Sequence, residues 1–338
     1  MISKRSLTIA IALVLLLSGC TEGDSNSFSE QNQGGNSFAG DNCETSSVLT
    51  RSSTIPIGVL MPSGSPERQS YTSAEDIKTA GLTAVSLGWT FYYLNSGELV
   101  FDFNGSADED ARQRWFNQMR CAVISAKEAG LVVSVWGQFQ EAKVQAEPMG
   151  IPEAIRDTVL EQALRLMPEI AKALEELKVE YWSPVSELDK FAGIEGHNKY
   201  FAQMVNAGRP IFEGIIYSQP NILQRDGFYP QNVQPDLGGV DSLGISWISY
   251  ECEPAQLEAA DFIVAAARDQ GISGIFISEL GSTNYADDSA KPCLETLIKY
   301  WGGETNGVFV LDHPPIREGV AVIKGSWQEQ VLRDIAGR

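Results

Sequence analysis

The run Ala129-Gly130-Leu131-Val132-Val133-Ser134-Val135-Trp136-Gly137-Gln138-Phe139 follows directly on a long amphipathic stretch, residues 108–129. A glycine closes the helical pattern with the positive φ that a helix end takes, and an apolar, β-prone run begins at once. A run this continuously apolar reads as a parallel strand covered on both faces. The same unit recurs on either side of it. Glycine closes the helical pattern again at Ala80-Gly81, Ala207-Gly208 and Gln270-Gly271. Strands are expected at 54–62, 82–91, 131–139, 180–187, 214–220, 241–249, 274–281 and 307–312. Helices are expected at 73–80, 108–129, 152–177, 197–207, 255–270, 290–301 and 327–336, with only a short helical possibility in the Gly, Pro, Gln and Asn rich segment 221–239. Eight such units match an α/β fold of the (β/α)8 TIM-barrel type, for which about 250 residues is typical. An open, doubly wound sheet is the alternative. It is disfavoured because no Gly-x-Gly-x-x-Gly follows the first strand, and Met61-Pro62-Ser63-Gly64-Ser65-Pro66 is not a phosphate loop.

The 338 residues are 43% hydrophobic and 20% charged, which is ordinary globular composition. With 25 Lys and Arg against 44 Asp and Glu, the net charge is −19. Such a surface repels phosphate backbones, so nucleic acid is not expected as a partner, and a neutral ligand is favoured over a polyanionic one. The chain has only two histidines, His197 and His313, too few for a three-histidine zinc site. Carboxylates must then carry most of any proton chemistry. Neither a cofactor nor a metal is expected: Asp287-Asp288 lacks EF-hand spacing, and no Cys-x-x-Cys is present.

Residues 1–19 combine a cationic start at Lys4 and Arg5 with an apolar run over 7–17 that is too short to span a bilayer, the pattern of an export signal. The ending Leu17-Ser18-Gly19-Cys20 resembles the bacterial lipobox, which implies cleavage before Cys20 and lipidation of that residue, so that the protein meets the membrane through an N-terminal lipid anchor. Thr21-Glu22 stand where lipoproteins of the inner membrane typically carry Asp, so the resemblance implies outer-membrane placement. Residues 20–52 are rich in Ser, Asn, Gly and Gln and read as a flexible tether, and 53–338 as the barrel domain. Export to an oxidising compartment makes disulfides the expected state of the four remaining cysteines, with Cys43–Cys121 and Cys252–Cys293 the favoured pairing of three possible ones.

In such a barrel the chemistry lies at the carboxyl ends of the strands. The fourth run ends Tyr181-Trp182-Ser183-Pro184-Val185-Ser186-Glu187-Leu188-Asp189, and the seventh Ile275-Phe276-Ile277-Ser278-Glu279-Leu280-Gly281-Ser282. A barrel with one Glu after strand four and one after strand seven resembles the clan A glycoside hydrolases, the 4/7 superfamily of retaining enzymes. The resemblance covers the barrel by order of units. Its specific part is Trp182-Ser183-Pro184 with Ser186-Glu187, and Glu279-x-Gly281. It implies Glu187 as acid/base and Glu279 as nucleophile, cleaving the β-glycosidic bonds of a neutral oligo- or polysaccharide. Ser186 departs from the Asn usual in the clan, and Leu311-Asp312-His313-Pro314 departs from its strand-eight Trp. These departures keep open a second reading, a catalytically silent glycan-binding surface lipoprotein on the same barrel.

Flat aromatic faces stack on sugar rings, and polar tips meet hydroxyls. On that ground Trp89, Trp136, Gln138, Ser186, Tyr217, Trp247, Tyr250 and Asp312 are the expected substrate-binding residues, and the resemblance to the clan, with its sixth-strand Tyr, implies that Tyr217 or Tyr250 donates a hydrogen bond to Glu279.

Overall fold

Strand β1 (Ile57–Met61) pairs on one side with β2 (Ala84–Tyr93) and on the other with β9 (Val308–Leu311), and this double pairing closes the sheet. The computed structural model describes residues 43, 48–61, 71, 73–144, 150–221, 235–249, 254–282, 291–297, 307–311 and 324–337. Between β2 and β9 the ring runs through β4 (Val132–Glu141), β5 (Tyr181–Ser183), β6 (Ile215–Ser218), β7 (Ser242–Ser249) and β8 (Gly274–Ser282), all parallel. The short β3 (Leu99–Val100) adds an antiparallel pair to the end of β2. Around the ring stand α1 (Ala74–Thr79), α2 (Glu109–Glu128), α3 (Glu153–Glu176), α4 (Leu188–Gly208), α5 (Pro254–Asp269), α6 (Lys291–Leu297) and α7 (Trp327–Ala336). This is the (β/α)8 barrel that the sequence predicts, with every expected strand present.

Two local expectations are corrected. Gly81, Gly130 and Gly271 do take positive φ after their helices, at 81°, 77° and 82°, but Gly208 is the last residue of α4 and does not. A Cβ there would lie 2.3 Å from the Trp182 ring, so this glycine makes room for an indole. Helix α4 also starts nine residues earlier than expected, at Leu188, and bends at Gly193, whose φ of 68° interrupts the regular pattern.

Strand alternation sorts the side chains into two cores. The outer faces of the strands meet the helices and the segments beside them: Trp182 packs on Gly208 at the end of α4 and on Phe212 just beyond it, and Trp89 lies against Trp115 and Phe116 of α2. The inner faces fill the barrel. Leu60, Ala84, Val132, Phe276 and Phe309 form an apolar plug with Trp136 and Tyr217, and the buried serines Ser86, Ser134, Ser183 and Ser278 lie on the barrel strands as well.

At the amino-terminal end, Lys127 and Glu180 form a buried ion pair, and Glu180 also accepts from the amides of Ser52 and Val133. Arg51 bonds Glu175 and the Val179 carbonyl beside it. The Cys43–Cys121 disulfide is present, with 5.3 Å between Cα atoms, and fastens the approach segment to α2. Cys20, Cys252 and the Cys293 side chain lie outside the described residues.

Candidate active site

Glycine at 137 sets the level of the site. A Cβ there would lie 2.4 Å from the Pro184 carbonyl oxygen, so only glycine lets the β5–α4 turn pack onto β4, where the Gly137 carbonyl accepts from the Ser186 amide at 2.8 Å. One residue on, the Glu187 amide donates to the Gln219 carbonyl at 2.6 Å. Buried Asp189 accepts from the Asn221 amide through both carboxylate oxygens, at 2.9 and 3.0 Å. Three ties thus fix the turn to its neighbours on both sides. Glu187 itself caps α4 in the left-handed region, with φ 51° and ψ 39°. For a side-chain-bearing residue that conformation costs on the order of 1–3 kcal/mol, which the surrounding bonds must outweigh.

Glu279 reaches the same place by a different device. Strict alternation along β8 would put it on the outer face with Ile277. Instead the register with β7 shifts: Ile245 pairs with Ile277, but Ser246 pairs with Glu279, leaving Ser278 as an extra residue. The register with β9 skips at the same point. This bulge turns Glu279 inward, as bulges beside functional sites commonly do. Gly244, beneath, accommodates it, since a Cβ at 244 would lie 2.6 Å from the Ser278 hydroxyl.

The two carboxyl groups meet on one hydroxyl. Ser246 Oγ lies 3.0 Å from Glu187 Oε1 and 3.1 Å from Glu279 Oε2. The two oxygens are therefore no more than about 6 Å apart, compatible with the roughly 5–5.5 Å separation of carboxyl groups in retaining hydrolysis. Gln219 Nε2 donates to Glu279 Oε2 at 3.0 Å, and Lys190 Nζ lies 3.4 Å from Glu187 Oε2. Burial first, and then the Glu187 charge beside it, push Glu279 up to about 7, against the opposing pull of Lys190, Ser246 and Gln219. Of the two, Glu279 is the carboxyl whose surroundings favour the protonated form. Among the described residues no group of three His, Cys, Asp or Glu side chains is placed to hold a metal ion.

Against this geometry three comparisons can be set. No family model matches the chain, and none of the curated proteins matches it in sequence. Solved structures do match in shape. A GH113 β-1,4-mannanase superposes with a TM-score of 0.57 at 14% identity, covering 84% of this chain and 99% of that one. The GH113 β-mannanase of Alicyclobacillus acidocaldarius, in complex with ManMIm, gives 0.56 at 12% identity, covering 84% and 97%. The catalytic domain of the major endoglucanase of Xanthomonas campestris pv. campestris gives 0.54 at 13% identity, covering 90% and 99%. The likeness is one of fold.

The expected substrate-binding residues divide. Gln138 is half-buried on the inner face of β4, where its amide donates to Thr90 Oγ1 at 3.0 Å. Trp136, one inward position lower, is 7% exposed within the barrel plug. Ser186 stands in the turn next to Glu187 and is buried. Two expectations are overturned. Trp89 points away from the barrel axis, because alternation on β2 places it on the outer face, with its ring 4.0 Å from that of Trp115. Tyr217 faces inward, but its hydroxyl meets Ser134 Oγ at 3.1 Å and the residue is fully buried, so it is a part of the interior and makes no hydrogen bond to Glu279. The Trp247 side chain, Tyr250 and Asp312 lie outside the described residues.

Ser246, Gln219 and Lys190 escaped the sequence reading. Gln219 precedes Pro220 at the end of an apolar strand, the signal already applied to the glutamates, and Lys190 stands three residues after Glu187, on one face of a helix start. Ser246 carried no signal, because its place depends on the bulge in a neighbouring strand.

Proposed function

We propose that this chain is a retaining β-glycosidase acting on a neutral oligo- or polysaccharide, with Glu279 as nucleophile and Glu187 as acid/base. One observation carries the reading: two half-buried carboxyl groups, brought from the ends of β5 and β8, share the Ser246 hydroxyl at the carboxyl-terminal mouth of the barrel. A retaining hydrolysis needs two such groups, one ionised to attack the anomeric carbon and one protonated to release the aglycone and later activate water. A single proton between them is the right inventory. The net charge of −19 favours an uncharged glycan, and the mannanases and endoglucanase of like fold make β-linked mannan and glucan the first substrates to try.

The lipobox-like Leu17-Ser18-Gly19-Cys20 supports lipidation at Cys20 and anchorage at the outer membrane, with residues 20–52 as the tether and 53–338 as the catalytic domain. Among the described residues no helix is long and apolar enough to cross a membrane. Palmitate labelling that survives Cys20→Ala would remove the anchor from this reading.

The full chain is tested on β-mannan, β-glucan, β-galactan, xylan and activated aryl glycosides. Turnover is expected, with Glu279→Ala and Glu187→Ala each lowering it by roughly 10³-fold or more and azide rescuing Glu279→Ala as the inverted glycosyl azide. A wild-type chain silent on every substrate but retarded in glycan affinity gels would instead be a binding protein.

A further inference from the structure

We infer that Ser246 is a proton relay between Glu279 and Glu187, switching the pair between a resting and a reactive arrangement. The inference rests on the hydrolase reading for its purpose, but on geometry for its existence. A serine hydroxyl has one proton and can donate to one acceptor at a time. Ser246 Oγ nevertheless lies within hydrogen-bond distance of both carboxyl groups, at 3.0 and 3.1 Å. Both contacts are hydrogen bonds, one of them charge-assisted, when the pair carries one proton: the protonated carboxyl donates to Oγ, and Oγ–H donates to the other carboxylate. With both groups ionised, one of the two contacts sets a hydroxyl lone pair against a carboxylate oxygen. With both protonated, the carboxylate partner that makes the bridge strong is gone.

The bridge has two directions of equal connectivity. In the resting direction Glu279 holds the proton, the direction that its burial beside the Glu187 charge favours. In the reactive direction Glu187 holds it. To pass from one to the other, the O–H bond of the Glu279 carboxyl breaks as a new one forms on Ser246 Oγ, while the original Oγ–H bond breaks and its proton bonds to Glu187 Oε1. Two protons shift together and one is transferred in net, so serine stays neutral and the charge of the pair is unchanged. No solvent proton is needed, which suits a serine that is 4% exposed.

The flanking groups bias the two directions oppositely. Lys190 Nζ, 3.4 Å from Glu187 Oε2, favours the charge on Glu187. Gln219 Nε2, 3.0 Å from Glu279 Oε2, donates best to an ionised Glu279, which then receives two hydrogen bonds on one oxygen. Among the described residues the titratable and charged groups around Ser246 are Glu187 at the N-cap of α4, Asp189 and Lys190 in its first turn, Tyr217 from β6 and Glu279 from β8; burial pushes the Tyr217 phenol up and Asp189 accepts from the Asn221 amide.

Carboxyl-carbon NMR titration of the full chain, labelled at glutamate and assigned with Glu187→Gln and Glu279→Gln, tests this without any sugar. Wild type is expected to lose its two protons in well-separated steps, because the bridge stabilises the one-proton pair from both sides. In Ser246→Ala the steps should draw together by at least about one pH unit, the worth of one charge-assisted bond, and Ser246→Thr should restore the spacing. Should Ser246→Ala not fold, Ser246→Cys, a weak donor of similar size, makes the same comparison. Equal spacing in wild type and the hydroxyl-free variant overturns the relay, whatever the turnover. Narrowed spacing with no turnover on any glycan keeps the relay and rejects the hydrolase reading. If turnover is found, its bell-shaped pH profile should narrow in the same variant and widen again in Ser246→Thr.

Discussion

Ser246 and Glu279 are partners across β7 and β8 because β8 carries one residue more than its neighbour at that level. The extra residue, Ser278, is accommodated by the missing side chain of Gly244 on the adjacent strand, so the position of the Glu279 carboxyl depends on a glycine two residues away from the serine it bonds.

Gly244→Ala should therefore displace the bulge. Its Cβ would lie 2.6 Å from Ser278 Oγ, 2.7 Å from Ser278 Cβ and 3.0 Å from Tyr217 Cδ2. Overpacking of this kind costs about 1–3 kcal/mol, and turnover should fall further than stability, because Glu279 moves off Ser246. Adding Ser278→Gly removes the two shortest clashes and should recover part of the loss of Tm. A single variant as active and stable as wild type would contradict the packing described.

Hydrolysis should decline as pH rises through about 7. Glu279 is raised from its ordinary value, so above that pH both carboxyls are ionised and no proton remains for the leaving group. Lys190 opposes this rise, so Lys190→Met should move the alkaline limb to higher pH. The pH dependence of kcat/KM for the two proteins is the measurement; a limb that moves to lower pH would be the wrong sign.

The raised Glu279 also has a consequence for stability. A carboxyl whose pKa is higher in the folded state stabilises below its unfolded value and loses that contribution as pH rises to the folded one, here between about 4.5 and about 7. Glu279→Gln removes the buried charge and should be more stable than wild type at pH 8, with little difference at pH 4. Thermal melts at the two values decide it.

His197 behaves oppositely. It is buried, stacks on Phe201 with ring centroids 4.9 Å apart, donates from Nε2 to the Asp236 carbonyl, and is pushed down to about 4 by burial. The unfolded chain takes up this proton near pH 6.5 and the folded one only near 4, so stability is lost as pH falls across that window, by about 3 kcal/mol from this residue at 1.36 kcal/mol per pH unit. His197→Gln should flatten the fall of Tm between pH 7 and pH 4.

Removing one member of the buried Lys127–Glu180 pair leaves the other charge without its counterion. Lys127→Met should cost about 3–5 kcal/mol, a fall in Tm on the order of 10 °C. Adding Glu180→Gln should return part of it, since the amide oxygen still accepts one of the two backbone bonds. Calorimetry on the three proteins measures both steps.

The eight strands were legible because each is a short apolar run behind a helical pattern, a signal that survives without knowledge of any neighbour. The two glutamates were legible because both follow such runs directly. What failed was everything set between strands. Trp89 and Trp136 look alike in the sequence, yet one faces α2 and the other the barrel axis, and only the phase of the alternation separates them. Gly208 looked like a helix terminator but is a seat for Trp182. The bulge at Ser278 reverses the phase for Glu279, and no pattern within β8 alone announces it.

The disulfide between Cys43 and Cys121 gives the chain's entry a mechanical meaning. Tension applied upstream of residue 43 ends at a covalent bond to the middle of α2, and the next stretch is held again where Arg51 and Ser52 grip the foot of β5. The strands that aim Glu187 and Glu279 lie downstream of both moorings, with their carboxyl ends at the far side of the barrel. A protein leashed from its amino terminus could be tugged, tilted and swung while the gap between its two acids kept its width.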